Sequence, residues 1–163
     1  GLKVMVDGGF KSLGEAGEAL KAGASKIVLA TETLPSLNLL RETLEGYGVE
    51  KVTVSLDTFE GEVLASSLEL KRLSLAGLLE SFERLGVAEL ILLDLARVGM
   101  ERLNLNLVNR VLGRFSGEIL VGGGVKGLRD LETLARLGVS GVLVATSLHS
   151  GEVKPEDLRK LFF

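Results

Sequence analysis

The sequence predicts an α/β fold, parallel strands with outer helices, wound in the manner of a (βα)8 barrel of which six units are visible in 163 residues. Six short runs that are apolar throughout alternate with six helical patterns, as expected of strands buried on both faces. Twenty-one glycines against two prolines imply many tight strand-to-helix turns. A glycine turn also occurs twice, in Val4-Met-Val-Asp-Gly-Gly-Phe-Lys11 and in Ile119-Leu-Val-Gly-Gly-Gly-Val-Lys126. A doubly wound sheet carries its glycine fingerprint on the first βα turn. Turns after the first and fifth strands suit a barrel better, because its ligand-gripping loops follow several strands.

Taken in order, Leu2 to Val6 reads as the opening strand, and Ser12 as the cap of a helix with Leu13, Ala16, Leu20 and Ala19 inward and Gly23 at its end. Lys26 to Ala30 is a buried strand running into Thr31-Glu-Thr. Pro35-Ser36 opens a helix carrying Leu37, Leu40 and Leu44, closed by Gly46 and Gly48. Lys51 to Leu56 is the next strand, ending on Asp57. Thr58 to Arg72 is a longer loop, with a turn at Glu60-Gly61 and a short extension from Glu62 to Ser66. Ser74 starts a helix through Leu75, Leu78, Leu79, Phe82 and Leu85, ended by Gly86. Leu90 to Leu93 is a strand ending on Asp94, and the loop from Ala96 to Leu103 leads to a helix with Leu107, Val108 and Val111. The strand opened by Ile119, a helix over Leu128 to Leu137, a strand over Gly141 to Ala145 and a closing helix over Pro155 to Phe163 complete one domain without linkers.

The totals narrow the function classes. Nineteen basic and 22 acidic residues leave a formal charge of -3 with no long run of either sign, which argues against a nucleic-acid surface. The absence of cysteine excludes thiolate chemistry and disulfides. Apolar runs of about five or six residues fall far short of the roughly 20 that a membrane span needs, so no membrane partner is expected. No set of histidines or carboxylates has metal-ligand spacing, and neither metal nor cofactor is expected. The expected location is the cytoplasm.

The chemistry centres on the two glycine turns. Without Cβ atoms, their backbone can approach a ligand, and the N–H groups that open the next helix favour an anion. A single such turn is equally a tight connection with no ligand. Here the two copies lie 115 residues apart and register Gly8 on Gly123, Gly9 on Gly124, Lys11 on Lys126, Gly23 on Gly138, Ser25 on Ser140, Ala30 on Ala145 and Thr31 on Thr146. Repetition between residues 4–31 and 119–146 points to a ligand with two anionic ends. Asp57 and Asp94, at strand ends, read either as catalytic or substrate-binding carboxyls or as caps for loop N–H groups. His149 reads as a surface residue. Lys11 and Lys126 either steer phosphate or are simply solvated.

Six ordered motifs, Val6-Asp-Gly-Gly-Phe-Lys, Ile27-Val-Leu-Ala-Thr, Val54-Ser-Leu-Asp57, Leu93-Asp-Leu-Ala-Arg-Val-Gly99, Val121-Gly-Gly-Gly-Val-Lys126 and Gly141-Val-Leu-Val-Ala-Thr146, resemble the histidine-biosynthesis barrel family. Its members are a phosphoribosylformimino-aminoimidazole carboxamide ribotide isomerase and a sister cyclase. The resemblance covers essentially the whole chain and begins at the family's third strand. It implies a TIM-barrel type fold and a substrate with two phosphates. One phosphate is expected on Gly8, Gly9, Ala30 and Thr31, and the other on Gly122, Gly123, Gly124, Ala145 and Thr146. It also implies a sugar-ring-opening isomerisation run by two carboxyls, for which Asp57 matches the fifth-strand group and the first-strand group has no counterpart.

Three departures accompany the match. Leu93, Val98 and Met100 stand where the family has a threonine, an aspartate and a threonine in its sixth-strand loop. Asp7 replaces a glycine and puts a negative charge beside a proposed phosphate site, where it would repel the ligand unless protonated, turned away or neutralised, with Lys11 or another cation as the expected partner. The sequence therefore predicts an isomerase or a diverged relative acting on a bis-phosphorylated ribose-type small molecule. The alternative is a non-catalytic phosphometabolite binder, or a barrel fragment that assembles with a partner. Open sheet edges predict a homo-oligomer or a strand-completing partner.

Overall fold

Strands lie beside one another in the order in which the chain makes them, and this winding decides the architecture. A computed structural model describes residues 1–98, 103–154, 156, 158 and 159. Its elements are β1 (Met5–Asp7), α1 (Leu13–Lys21), β2 (Lys26–Ala30), α2 (Leu37–Tyr47), β3 (Val52–Phe59), β4 (Glu62–Val63), α3 (Leu68–Lys71) and α4 (Leu75–Leu85). They continue with β5 (Glu89–Asp94), α5 (Leu105–Leu112), β6 (Glu118–Gly122), α6 (Leu128–Leu137), β7 (Gly141–Leu143) and α7 (Thr146–His149). The sheet order is β1-β2-β3-β5-β6-β7, every neighbour on that path parallel, with β4 antiparallel to β3. A doubly wound sheet reverses direction at a switch point. This one never reverses, so it is a curled part of a (βα)8 barrel, and all six parallel strands bring their carboxyl ends to one rim.

Burial follows position in the sheet. The central strands carry Ile27, Val54, Leu56, Leu90 and Leu92, all sealed from solvent, and Phe82 of α4 closes the same core. Each such side chain contributes about 2 kcal/mol relative to exposure. The outer strands β1 and β7 have three residues each and are only partly buried. Among the described residues no ladder joins them.

Local chemistry sets the element ends. Ser12, Ser36, Ser67, Ser74 and Asn104 each accept a backbone N–H three residues on, which starts α1, α2, α3, α4 and α5. The opening strand is shorter than expected, since Leu2 and Val4 are exposed and only Met5–Asp7 pairs with β2. β3 runs past Asp57 to Phe59, because Glu60 and Gly61, both at positive φ, form a two-residue hairpin that pairs Phe59 with Glu62. Gly46 lies inside α2 instead of closing it; a Cβ there would meet Leu13 Cδ1 at 3.5 Å, where α1 and α2 pack closely. The last strand ends at Leu143, two residues early, because Thr146 begins α7. Most of the expected closing helix lies outside the described residues.

The amino-end rim is tied by charge. Lys26 Nζ lies 2.7 Å from Glu89 Oε2, and Thr53 Oγ1 donates to the other oxygen of Glu89, so three strands are joined at their starts. In barrels this rim serves stability, and the opposite rim carries chemistry.

Candidate functional site on the carboxyl-end rim

Strand register places the site residues before any side chain is considered. Asp57 is level with Leu93, Leu93 with Gly122, and Gly122 with Leu143. Residues level across parallel strands point to the same side of a sheet, so Asp57 shares a face with Leu93 and Leu143. At a strand spacing of about 4.8 Å, Asp57 and Gly122 are separated by about 10 Å.

Asp57 is 2% exposed and tightly held. Ser55 Oγ donates to its Oδ1 at 2.7 Å, and its own N–H donates to Thr31 Oγ1 at 3.0 Å. The Thr31 hydroxyl and the Glu32 N–H each reach Oδ2 at 3.4 Å. Burial raises the Asp57 pKa above the ordinary 3.8, and the charges of Glu32 and Asp7 push the same way, against the lowering hydrogen bonds from Ser55 and Glu32. The sequence reading missed Ser55, although a hydroxyl two residues before a strand carboxylate must share its face.

Asp94 is not brought to Asp57. It is level with Thr58, one residue further along, and therefore points to the other side of the sheet. There it accepts from Asn104 Nδ2 at 3.2 Å, while Asn104 Oδ1 caps α5 at Leu107. One carboxylate oxygen thus supports the residue that caps α5, and the other, Oδ1, is buried with no hydrogen-bond partner among the described residues.

The two glycine turns lie on the same rim, at opposite lateral ends of one sheet. At the first, Gly9 has φ 60°, and its N–H donates to Asp7 Oδ1 at 3.2 Å. The Lys11 N–H donates to Glu15 Oε2 at 2.7 Å. Asp7 thus takes a backbone N–H, and among the described residues it makes no ion pair with Lys11. Gly8 follows β1 directly, packed against the Phe10 ring. Ala30 and Thr31 are both buried; the Thr31 N–H donates to Ser55 O at 2.8 Å, and Ala30 O accepts from Thr33 and Leu34.

The second turn is built differently. A cavity of about 650 Å³ opens beside it, lined by Gly122, Gly123, Gly124, Ala145, Thr146 and Ser147 on one part, and by Leu93, Val98, Val142 and Leu143 on another. Gly123 has φ 91°, and a Cβ there would collide with the Asp94 carbonyl oxygen, so only glycine fits. Ala145 and Thr146 are exposed to this space. Ser147, which the sequence reading did not single out, is 2% exposed, and its Oγ has no hydrogen-bond partner among the described residues. Lys126 Nζ lies 4.0 Å from Glu152, and the Lys126 N–H donates to Asp130 at 2.8 Å. Leu93 and Val98 bring an apolar wall to the cavity; Met100 lies outside the described residues. His149 is exposed in the last turn of α7. Among the described residues no group of histidine and acidic side chains could hold a metal, and no helix is long and apolar enough to cross a membrane.

Fold and rim define a βα-barrel-type protein with a buried carboxyl and a glycine-lined cavity at the carboxyl ends of its strands. Comparison with known proteins makes this specific: residues 1–154 match the family described as histidine biosynthesis protein, and the chain belongs to that family. It is 36% identical over 149 residues to a protein of Thermus thermophilus and 33% identical over 153 residues to one of Deinococcus radiodurans. Both are named 1-(5-phosphoribosyl)-5-((5-phosphoribosylamino)methylideneamino)imidazole-4-carboxamide isomerase. The matches cover 90% and 93% of this chain and 63% and 64% of those relatives, so the chain spans a little under two thirds of their length. An uncharacterised protein of Methanocaldococcus jannaschii is 35% identical over 166 residues, covering 97% of this chain and 64% of that protein.

Proposed function

We propose that the chain is an intramolecular isomerase of the aldose-ketose type, or a diverged relative of one, working in the cytoplasm on a phosphorylated ribose-type metabolite of histidine biosynthesis. The observation that carries this reading is Asp57: a buried carboxyl, oriented by Ser55 and Thr31, on the same face as a glycine-lined cavity about 10 Å away. Burial raises its pKa, the direction that suits a carboxyl asked both to give and to take a proton. As an acid it would protonate the ring oxygen as the sugar opens. As a base it would take the proton from the neighbouring carbon, so that the double bond moves along the chain. Named relatives that are isomerases support the same reaction class.

A second reading is a non-catalytic phosphometabolite binder, or a barrel part completed by a partner along its open edges. Leu93 and Val98 favour it, because they remove polar groups from the cavity wall. Replacing Asp57 by Asn separates the two. Turnover of the phosphoribosyl substrate falling by about 10³-fold or more with phosphate-ligand affinity retained supports the isomerase; unchanged turnover by a demonstrably active wild type would exclude Asp57 as the acid-base group. The same variant has a signature in stability. Since the folded-state pKa of Asp57 is raised, ionisation at neutral pH costs folding free energy that is recovered as pH falls through the raised value toward 3.8. Asp57→Asn is therefore expected to melt higher than wild type at pH 7, with the gap shrinking on acidification, as calorimetry at both pH values would show.

A further inference from the structure

Two related glycine turns are built into this chain, and at one of them a side chain with no counterpart at the other already takes a backbone N–H. At the first turn the Gly9 N–H is taken by Asp7, and the Lys11 N–H by Glu15. Further along that end of the rim, the Glu32 N–H reaches the Asp57 carboxylate and the Thr31 N–H donates to the Ser55 backbone carbonyl. Thr31 itself is sealed from solvent. Three carboxylates, Asp7, Glu32 and Asp57, lie close enough together that the first two act on the third electrostatically. A phosphate brought here would have to displace protein hydrogen bonds and meet like charge.

At the second turn the Lys126 N–H is likewise taken, by Asp130, but Gly122 to Gly124 and Thr146 line a cavity. The counterpart of Asp7 is Gly122, which carries no charge. The counterpart of Gly9 is Gly124, whose N–H donates to no other described residue. Thr146 is exposed where Thr31 is buried. Ser147 supplies an independent sign of a ligand: its hydroxyl is buried, lines the cavity and has no partner among the described residues, a condition that costs free energy unless something polar binds there. The carboxylate at this end, Glu152, lies beside Lys126 at 4.0 Å.

We propose that the chain takes a ligand with one phosphate, held at the Gly122–Gly124 and Thr146–Ser147 end, while Asp7 fills the Gly8–Gly9 cradle from within. This rests on the phosphorylated-metabolite reading above and narrows it from two anionic ends to one. The ligand's other end then lies toward Asp57 and carries no second phosphate. The apolar Leu93 and Val98 flank it on the way.

The test uses inorganic phosphate, ribose 5-phosphate and ribulose 1,5-bisphosphate on the whole chain, with backbone amide NMR and calorimetry. The expected result is saturable shifts at Gly123, Gly124 and Ser147 without shifts at Gly8 and Gly9, a stoichiometry of one phosphate, and mono- and bisphosphate affinities within about threefold. Ser147→Ala is expected to weaken ribose 5-phosphate binding by about tenfold. Asp7→Gly is expected to strengthen bisphosphate binding by about tenfold while leaving ribose 5-phosphate unchanged, since it frees the Gly9 N–H and removes a charge. Two phosphates per wild-type chain, or a bisphosphate preference above tenfold that Asp7→Gly does not alter, would overturn the single-phosphate proposal and leave the phosphometabolite reading standing. Absence of binding by all three probes would overturn both.

Discussion

Residues 4–34 and 119–149 make the same local hydrogen bonds. Ser25 Oγ accepts the Val4 N–H, as Ser140 Oγ accepts the Ile119 N–H. Glu15 accepts the Lys11 N–H, as Asp130 accepts that of Lys126. Ala30 O accepts from Thr33 and Leu34, as Ala145 O accepts from Leu148 and His149. Yet Thr31 is sealed against Asp57, near the exposed Asp7 and Glu32, while Thr146 stands exposed beside a cavity. Sheet position accounts for the difference. β2 is flanked by β1 and β3, so Thr31 is packed from both sides and turned to use in holding Asp57. Among the described residues β7 pairs with β6 alone, and Thr146 is exposed. Equivalent backbone turns thus acquire different chemistry from their neighbours.

Substitutions at paired positions would break or sharpen this comparison. The largest effect is expected at the glycines. Gly123→Ala places a Cβ into the Asp94 carbonyl at a positive φ and should destabilise by about 3 kcal/mol, whereas Gly8→Ala meets the Phe10 ring at 2.8 Å, which can rotate, and should cost about 1 kcal/mol. Urea unfolding of both variants reads the difference, and equal losses would mean the two turns are equally constrained.

Thr31→Val removes the acceptor of the Asp57 N–H and should cost about 1–2 kcal/mol, while Thr146→Val, at an exposed site, should stay within about 0.5 kcal/mol and act on phosphate affinity instead. A combined thermal melt and phosphate titration checks both arms. If Thr146→Val destabilised as much as Thr31→Val, the contrast between a sealed and an open end would fail.

The smallest effect concerns the helix starts. Ser12 caps α1 through its side chain, and its counterpart Gly127 begins α6 with none, leaving Asp130 to bind the Lys126 and Gly127 N–H groups. Ser12→Ala should lower stability by about 1 kcal/mol, and Gly127→Ser should raise it by a few tenths, since Gly127 has extended dihedrals open to any residue. Denaturation midpoints measured side by side test whether the two helices differ only in the cap.

Much of this was legible from residue pattern, and the exceptions share a cause. Strand Lys26–Ala30 and helix Leu128–Leu137 were readable residue for residue, because apolar runs and terminal glycines act over a few neighbours. The hairpin at Glu60-Gly61 was visible as a turn, but its lengthening of β3 was not, since antiparallel pairing with Glu62–Val63 depends on what the extended strand meets. Asp57 and Asp94 looked alike at strand ends. Register alone separates them, one residue of offset turning Asp94 to the helix side. Ser147 offered no local pattern, because its lone hydroxyl matters only where a cavity forms against it.

By itself, the order of apolar runs, caps and glycines determined that six parallel βα units would wind in sequence and that two of their turns would be related. These are consequences of backbone sterics and side-chain periodicity within a few residues. Only the tertiary structure decided which carboxyl shares a face with Leu93 and Leu143, which glycine turn gives an N–H to Asp7 and which adjoins a cavity. Those outcomes depend on strand register and on packing from neighbouring strands, which lie far apart along the chain.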